Sequence, residues 1–341
     1  MKAWVIDEPG RSGLLRMTEV PRPEPGDGEV LIRVAATALN RADVLQRQGR
    51  YPAPPGIDPR IPGLECSGEI IEVATGVEGL SPGDQVCALL GGGGYAEYVA
   101  VPAVQVLPVP RGMTVADAAA LPEAASTVWA NLGLPQPPAA GSGVLVHGGS
   151  SGVGSFAVRL AKAWGCVVAA TAGGAQRCAE VREIGADIAI DYRADDFAEV
   201  LEQREDWPGA AVIFDIVGAP ALASNLRSLA VGGRLMLVST QGGAEASIDL
   251  GHLMRRRISV HGQTVRSRPV TGPESKAELI AGVRDSIWPL VESGSVLPVI
   301  GARVPIEQAM EFHRASEGGA LPVGKVVFEL PPSDREGPSM P

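Results

Sequence analysis

Residues 144–164 read VLVHGGSSGVGSFAVRLAKAW, and this stretch decides the fold. Val144, Leu145 and Val146 form a short apolar run, glycines 148, 149, 152 and 154 make a turn, and Phe156, Leu160, Ala161 and Trp164 recur at helical spacing. The pattern predicts a buried strand, a tight turn and an amphipathic helix. Glycine suits such a turn because a pyrophosphate must approach the backbone where a Cβ would clash, and because the helix must pack closely on the strand. Free N–H groups at the helix start then face the phosphates. The spacing is GGSSGVG rather than GxGxxG, so its weight comes from its place at the head of an alternating run of strands and helices.

Downstream, strands are predicted at 166–171, 188–191, 211–216, 234–238 and 257–263, with helices at 176–184 and 222–229 between them. Such alternation predicts an α/β chain with a doubly wound parallel sheet. Upstream, to about residue 110, short apolar runs such as EVLIRVAATAL and DQVCALL are broken by Gly and Pro, which predicts a mostly antiparallel, partly closed β domain. An Ala-rich helical stretch, 115–132, leaves it, and the loop PQPPAAGSG, 135–143, leads to the Gly-rich turn. Helices are expected at 288–294 and 306–316, and a last strand at 324–330 returns to the first domain. The tail, 331–341, has too little apolar content to pack and is expected to be mobile.

The chain has 341 residues and a formal charge of −10, from 39 acidic and 29 basic residues. That balance argues against nucleic acid or an anionic membrane as main partner. Arg255, Arg256 and Arg257 form the only dense basic run and read as a solvated loop or helix end. No stretch is apolar enough to span a bilayer, no export signal is apparent, and the four cysteines form no disulfide framework, so a cytoplasmic setting is expected.

The strand after the Gly-rich turn, CVVAATAGG, ends in Ala172, Gly173 and Gly174, without the acid that accepts from the ribose hydroxyls in NAD sites. A 2′-phosphate is therefore not repelled, and Arg177 can reach it with a planar fork of donors. NADPH is the cofactor expected.

The stretches NRADVLQRQGRYPAPPG, GLECSGEI, GDQVCALLGGGGYAEYVAVP, AALPEAASTVW, VHGGSSGVG and GKVVFEL together resemble the zinc-free quinone oxidoreductases of the medium-chain dehydrogenase/reductase superfamily. The likeness is greatest to the tumour-suppressor-inducible NADPH quinone oxidoreductase group. It implies a GroES-like catalytic domain from 1–124 and 266–330 around a Rossmann domain, 125–265, with the cofactor cleft between them. The resemblance places 2′-phosphate contacts on Arg177, where a lysine is usual, and on Tyr192. It places Ser151, Gly152, Val153 and Gly154 at the pyrophosphate, and adds Asn40, Thr127, Gly173, Val217, Thr240 and Val265 to the cofactor set. It also implies a homodimer through the last Rossmann strand.

Zinc enzymes of the superfamily need Cys and His ligands near the cleft. Here Asn40 and Leu64 stand at two of those places, Cys66 has no nearby histidine, and His147, His252, His261 and His313 are dispersed. No metal is expected, and alcohol dehydrogenation becomes a poor candidate. Asn40 and Tyr51 are the side chains expected to line the acceptor site, Tyr51 as a phenol that donates to a developing oxyanion. Residue logic alone leaves open that Asn40 caps the helix of ADVLQRQ and that Tyr51 packs a loop. The activity expected is hydride transfer from NADPH to a quinone. An enoyl reductase acting on α,β-unsaturated ketones or thioesters, and a non-catalytic NADPH-binding, crystallin-like protein, are the alternatives.

Overall fold

The computed structural model describes residues 1–8 and 13–331. The expected mobile tail therefore lies outside the described residues, save Pro331.

The turn at 147–151 sits where the sequence reading put it, between the strand Gly143–Val146 and the helix Gly152–Ala163. Six parallel strands build the sheet, in the spatial order 188–191, 167–172, 143–146, 210–215, 229–237, 259–262. Numbered along the chain this is 3-2-1-4-5-6, the doubly wound order of dinucleotide-binding domains, with its switch point beside the strand that carries the Gly-rich turn. All four residues of Gly143–Val146 are buried, because helices cover both faces of a parallel sheet. Phe156, Ala157, Leu160 and Ala161 supply the buried face of the helix.

The second domain is a seven-strand sheet in the order 300–305, 325–329, 29–38, 65–73, 85–89, 106–108, with 98–102 paired to the far part of 29–38. Its pairings are antiparallel except that of 300–305 with 325–329. Both ends of the chain meet here, with Val327 opposite Ala38 and Phe328 opposite Thr37.

Three features that add to or change the sequence reading bear on the site. The helical stretch 115–132 is broken into Val115–Ala118, Pro122–Val128 and a wide turn at Trp129–Gly133, since Pro122 cannot continue a preceding helix. The segment after 266 packs on both domains before it joins the catalytic sheet: Leu279, Ile280, Val283, Ile287 and Trp288 share a core with Val144 and Phe156 and with Cys87, Leu89 and Leu107, and strand pairing begins at Ile300–Pro305. A helix at Lys276–Ser286 was not read from the sequence.

One close approach fixes the catalytic sheet. Strand Glu65–Val73 crosses the bulged strand Glu29–Ala38 so tightly that a Cβ on Gly68 would lie 1.9 Å from the Arg33 carbonyl oxygen. Gly68→Ala is expected to destabilise the protein by at least about 1–3 kcal/mol, as overpacking against rigid backbone does. A urea midpoint equal to that of the parent protein would refute this.

Candidate active site and cofactor cleft

The Gly-rich turn is cradle-shaped because side chains cannot fit. A Cβ on Gly154 would lie 2.2 Å from the Gly148 carbonyl oxygen, and one on Gly149 2.8 Å from the Cβ of Ala170. Ser151 caps the helix: its hydroxyl accepts from the Gly154 N–H at 3.0 Å and donates to the Gly148 carbonyl at 2.8 Å. The N–H groups of Gly152 and Val153 lie in the first helical turn and have no intrahelical acceptor, which leaves them to an anion. Beneath the turn, buried His147 bonds Asn225 at 2.7 Å and Thr171 at 3.1 Å, while Asp215 accepts from the N–H groups of Val217 and Gly218.

At the end of the next strand, Tyr192 and Arg193 overhang Gly173. A Cβ there would stand 2.8 Å from the Tyr192 hydroxyl and 3.1 Å from Arg193 Nε. Arg177 lies in the first turn of the helix Ala175–Ile184, with its guanidinium donating to the Leu321 carbonyl at 2.6 Å and more weakly to Gly319. Arg193, whose guanidinium makes no hydrogen bond or ion pair to the described residues, was missed in the sequence. A second basic residue beside a tyrosine was the available signal.

The two domains meet at Lys325. Its buried ammonium donates to Asn40 Oδ1 at 2.7 Å and forms an ion pair with Glu65. Asn40 gives its own N–H groups to Glu65 Oε1 at 2.8 Å and to the Ala38 carbonyl at 3.2 Å. The other Glu65 oxygen accepts from the Glu123 N–H at 2.8 Å. The helix Arg41–Arg47 is closed by Asp43, which accepts from the Asn40 N–H at 2.8 Å and from the Gly63 N–H at 2.9 Å. The Asn40 amide is thus committed to Glu65 and Lys325, with only spare lone-pair capacity on Oδ1. Lys325 also explains Gly152, where a Cβ would meet the lysine stem at 2.6 Å.

Around this hub stand Tyr51, Thr127, Glu123 and Arg266. The Thr127 hydroxyl donates to Glu123 Oε1 at 3.2 Å. Arg266 lies 5.1 Å above the Tyr51 ring, donates to the Tyr51 carbonyl at 3.4 Å and anchors to Gly91 and Gln46. Burial raises the Glu123 carboxyl to about 7, helped by the Glu65 charge, and burial raises Asp43 equally, to about 7. Burial also raises the Tyr51 phenol, and Glu123 adds to the effect. Val217, Thr240 and Val265 each lie two or three residues past the end of a parallel strand, Thr240 within 3.0 Å of a Cβ on Gly218 and Val265 in the buried core. Glu123, Arg266 and Lys276 were not singled out in the sequence, because isolated charges in loops and helix starts carry no spacing signal.

Two family models match: the alcohol dehydrogenase GroES-like domain over residues 26–111 and zinc-binding dehydrogenase over 152–281. A solved NAD-dependent alcohol dehydrogenase is 31% identical, covers 97% of this chain and all of its own, and superposes with a TM-score of 0.83. The chain belongs to the medium-chain dehydrogenase/reductase superfamily. Within it, the likeness is to the quinone oxidoreductase type. Rat quinone oxidoreductase is 29% identical over 97% of this chain and 98% of its own length. The Escherichia coli quinone oxidoreductase complexed with NADPH is 25% identical, with a TM-score of 0.84 over 96% of this chain and all of its own. A mycocerosic acid synthase-like polyketide synthase of Mycolicibacterium smegmatis is 31% identical over 96% of this chain, which spans only 15% of that protein's length.

The superfamily's zinc does not fit the donors present. Asn40 is occupied by Lys325 and Glu65, Leu64 is apolar and buried, and burial pushes the Cys66 thiol strongly up, away from the thiolate a metal needs. Among the described residues no group of three or more His, Cys, Asp or Glu is placed to hold a metal. His313 lies between Tyr95 and Arg47, where burial lowers it to about 3.

Two outcomes follow from this hub. Glu65→Ala alone strands the Lys325 ammonium and is expected to cost about 3–5 kcal/mol, whereas Glu65→Leu combined with Lys325→Met recovers much of it. Denaturant titration of the single and double variants checks both. Glu123 keeps its proton to about pH 7 when folded, but only to about 4.3 when unfolded. Between those values the native state binds more protons, so this group makes stability fall as pH rises, with the full penalty present above the folded value. Unfolding midpoints across that range should fall less steeply for Glu123→Gln than for the parent, and parallel curves would contradict the assignment.

Proposed function

We propose that this chain is an NADPH-dependent, zinc-independent reductase whose acceptor is a quinone. The observation that carries the proposal is the glycine-ended strand Val167–Ala172, with Tyr192, Arg193 and Arg177 gathered where a ribose-binding acid would otherwise stand. Arg177, Arg193 and Tyr192 hold the 2′-phosphate beside Gly173, and Gly152, Val153 and Gly154 receive the pyrophosphate, with Ser151 fixing the helix start. Thr127, Val217, Thr240 and Val265 flank the nicotinamide end. NADPH, when bound, supplies the hydride. The protein's own work is to position the acceptor and receive charge on its oxygen. Tyr51 does this with a hydroxyl that makes no hydrogen bond to the described residues, on a ring fixed by Arg266. Asn40 sets the wall of the acceptor site through the Lys325–Glu65 pair.

The Glu123 carboxyl favours a second reading. A group that exchanges its proton near neutrality suits reduction of an α,β-unsaturated ketone or thioester, where carbon must be protonated after hydride addition. The polyketide synthase relatives support the same chemistry. We further propose a homodimer formed at the open edge strand Ser259–Gly262, and a cytoplasmic setting, in keeping with four buried free cysteines.

NADPH oxidation with 1,2-naphthoquinone, 1,4-benzoquinone and a 2-enone tests the reading. Turnover with the quinones is expected to exceed that with the enone, and NADPH to be preferred to NADH. Loss of either the Arg177 or the Arg193 charge should cut that preference roughly tenfold or more, by the worth of a charge-assisted hydrogen bond. An unchanged NADPH/NADH ratio in the double Ala variant would sink the cofactor assignment. Tyr51→Phe should lower kcat roughly tenfold or more with NADPH binding intact.

A further inference from the structure

Lys276 is the first residue of the helix Lys276–Ser286, which packs against the helix bearing Glu123 and Thr127. The approach is close: a Cβ on Gly282 would lie 2.3 Å from Trp129 Nε1. Lys276 is only 5% exposed, its nitrogen keeps a small opening to solvent, and among the described residues its ammonium has no hydrogen bond and no ion-pair partner within 4 Å. The other buried lysine, Lys325, has both. Three influences work against the Lys276 charge. Its side chain is largely withdrawn from water, it stands at the positive end of a helix, and it feels the Arg266 guanidinium; only Glu123 favours it. A cation held at such cost, with nothing in the fold to pair it, marks a site that meets a negative charge from outside the chain.

The neighbourhood says which charge. The Lys276 helix packs on the helix that carries Glu123, whose carboxyl acts on both Lys276 and Arg266, and Arg266 covers the Tyr51 ring of the proposed acceptor site. We propose that Lys276 is the cation that pairs with the oxyanion formed on the reduced acceptor. The inference rests on the reductase reading above. When hydride from NADPH adds to one carbonyl oxygen of a quinone, forming an O–H bond, or to the β-carbon of an enone, forming a C–H bond, the π electrons move to the remaining carbonyl oxygen and the nicotinamide is oxidised. The resulting phenolate or enolate oxygen forms an ion pair with the Lys276 ammonium. In the quinone case an N–H bond then breaks as an O–H bond forms, giving the hydroquinone, and the amine regains its proton from solvent.

The test has a readout apart from turnover. The absorbance of 4-nitrophenolate, a phenolate of the product class, reports its binding to the protein saturated with NADP+. Wild type should bind it at least tenfold more tightly than Lys276→Met, and Lys276→Arg should restore most of the difference. In quinone turnover Lys276→Met should lose kcat by a similar factor while the dissociation constant for NADPH stays the same. The melting temperature of Lys276→Met should equal or exceed that of wild type, because the substitution removes an unpaired buried charge; a structural lysine would lower it. Equal nitrophenolate binding by wild type and Lys276→Met would overturn the proposal, as would a lowered melting temperature. If wild type binds nitrophenolate through Lys276 but oxidises NADPH with no acceptor, the reductase reading falls and the anion site stands.

Discussion

The ion pair between Lys325 and Glu65 is the constraint on which the molecule turns. Both groups are fully buried, and each is useful only while the other is present. Lys325 comes from the last strand, Glu65 from a central one, Asn40 from the start of a helix, and Glu123 donates its N–H from the helix that leaves the catalytic domain. Four distant stretches of chain are therefore placed by one charge pair. The Lys325 stem passes the Gly-rich turn so closely that only glycine fits at 152. The same lysine thus orders the catalytic domain and closes on the Gly-rich turn of the other.

Charge is divided along the cleft. At one end stand Arg177 and Arg193, the cations proposed to meet a phosphate. In the middle, Lys325 and Glu65 cancel, so their field does not compete with either end. At the proposed acceptor end, Arg266 and Lys276 stand with a Glu123 carboxyl that burial keeps partly protonated. The distribution agrees with the proposed acceptor, a neutral molecule that becomes negative on reduction.

The nucleotide domain was legible because its signals are local. The apolar run at 144–146, the glycines at 148–154 and the alternating pattern beyond are short-range properties, and a sheet buried on both faces leaves little freedom in how they assemble. The same holds for the missing acid at 172–174. The acceptor site was less legible because long-range pairing makes it. Nothing near Glu65 in sequence says that Lys325 neutralises it. Asn40 was read as facing the acceptor, and its amide proves to be committed to those two residues. The helix Lys276–Ser286 was missed because it follows a Pro- and Gly-rich stretch, and with it went the buried lysine at its head. Gly152 was read as room for phosphate, yet the nearest obstacle to a Cβ is a side chain of the other domain.

The Gly-rich turn and the catalytic domain also share main chain. The Gly324 N–H donates to the Ser150 carbonyl at 3.0 Å, and Ser151 and Gly324 form a parallel bridge one residue from Lys325. Between the two domains the floor of the cleft is thus tied by main chain, whereas the outer rims are held by side chains, Arg177 on the Leu321 carbonyl and Arg266 on the Tyr51 carbonyl. A substitution can therefore loosen the rims but has no side chain to remove at the floor.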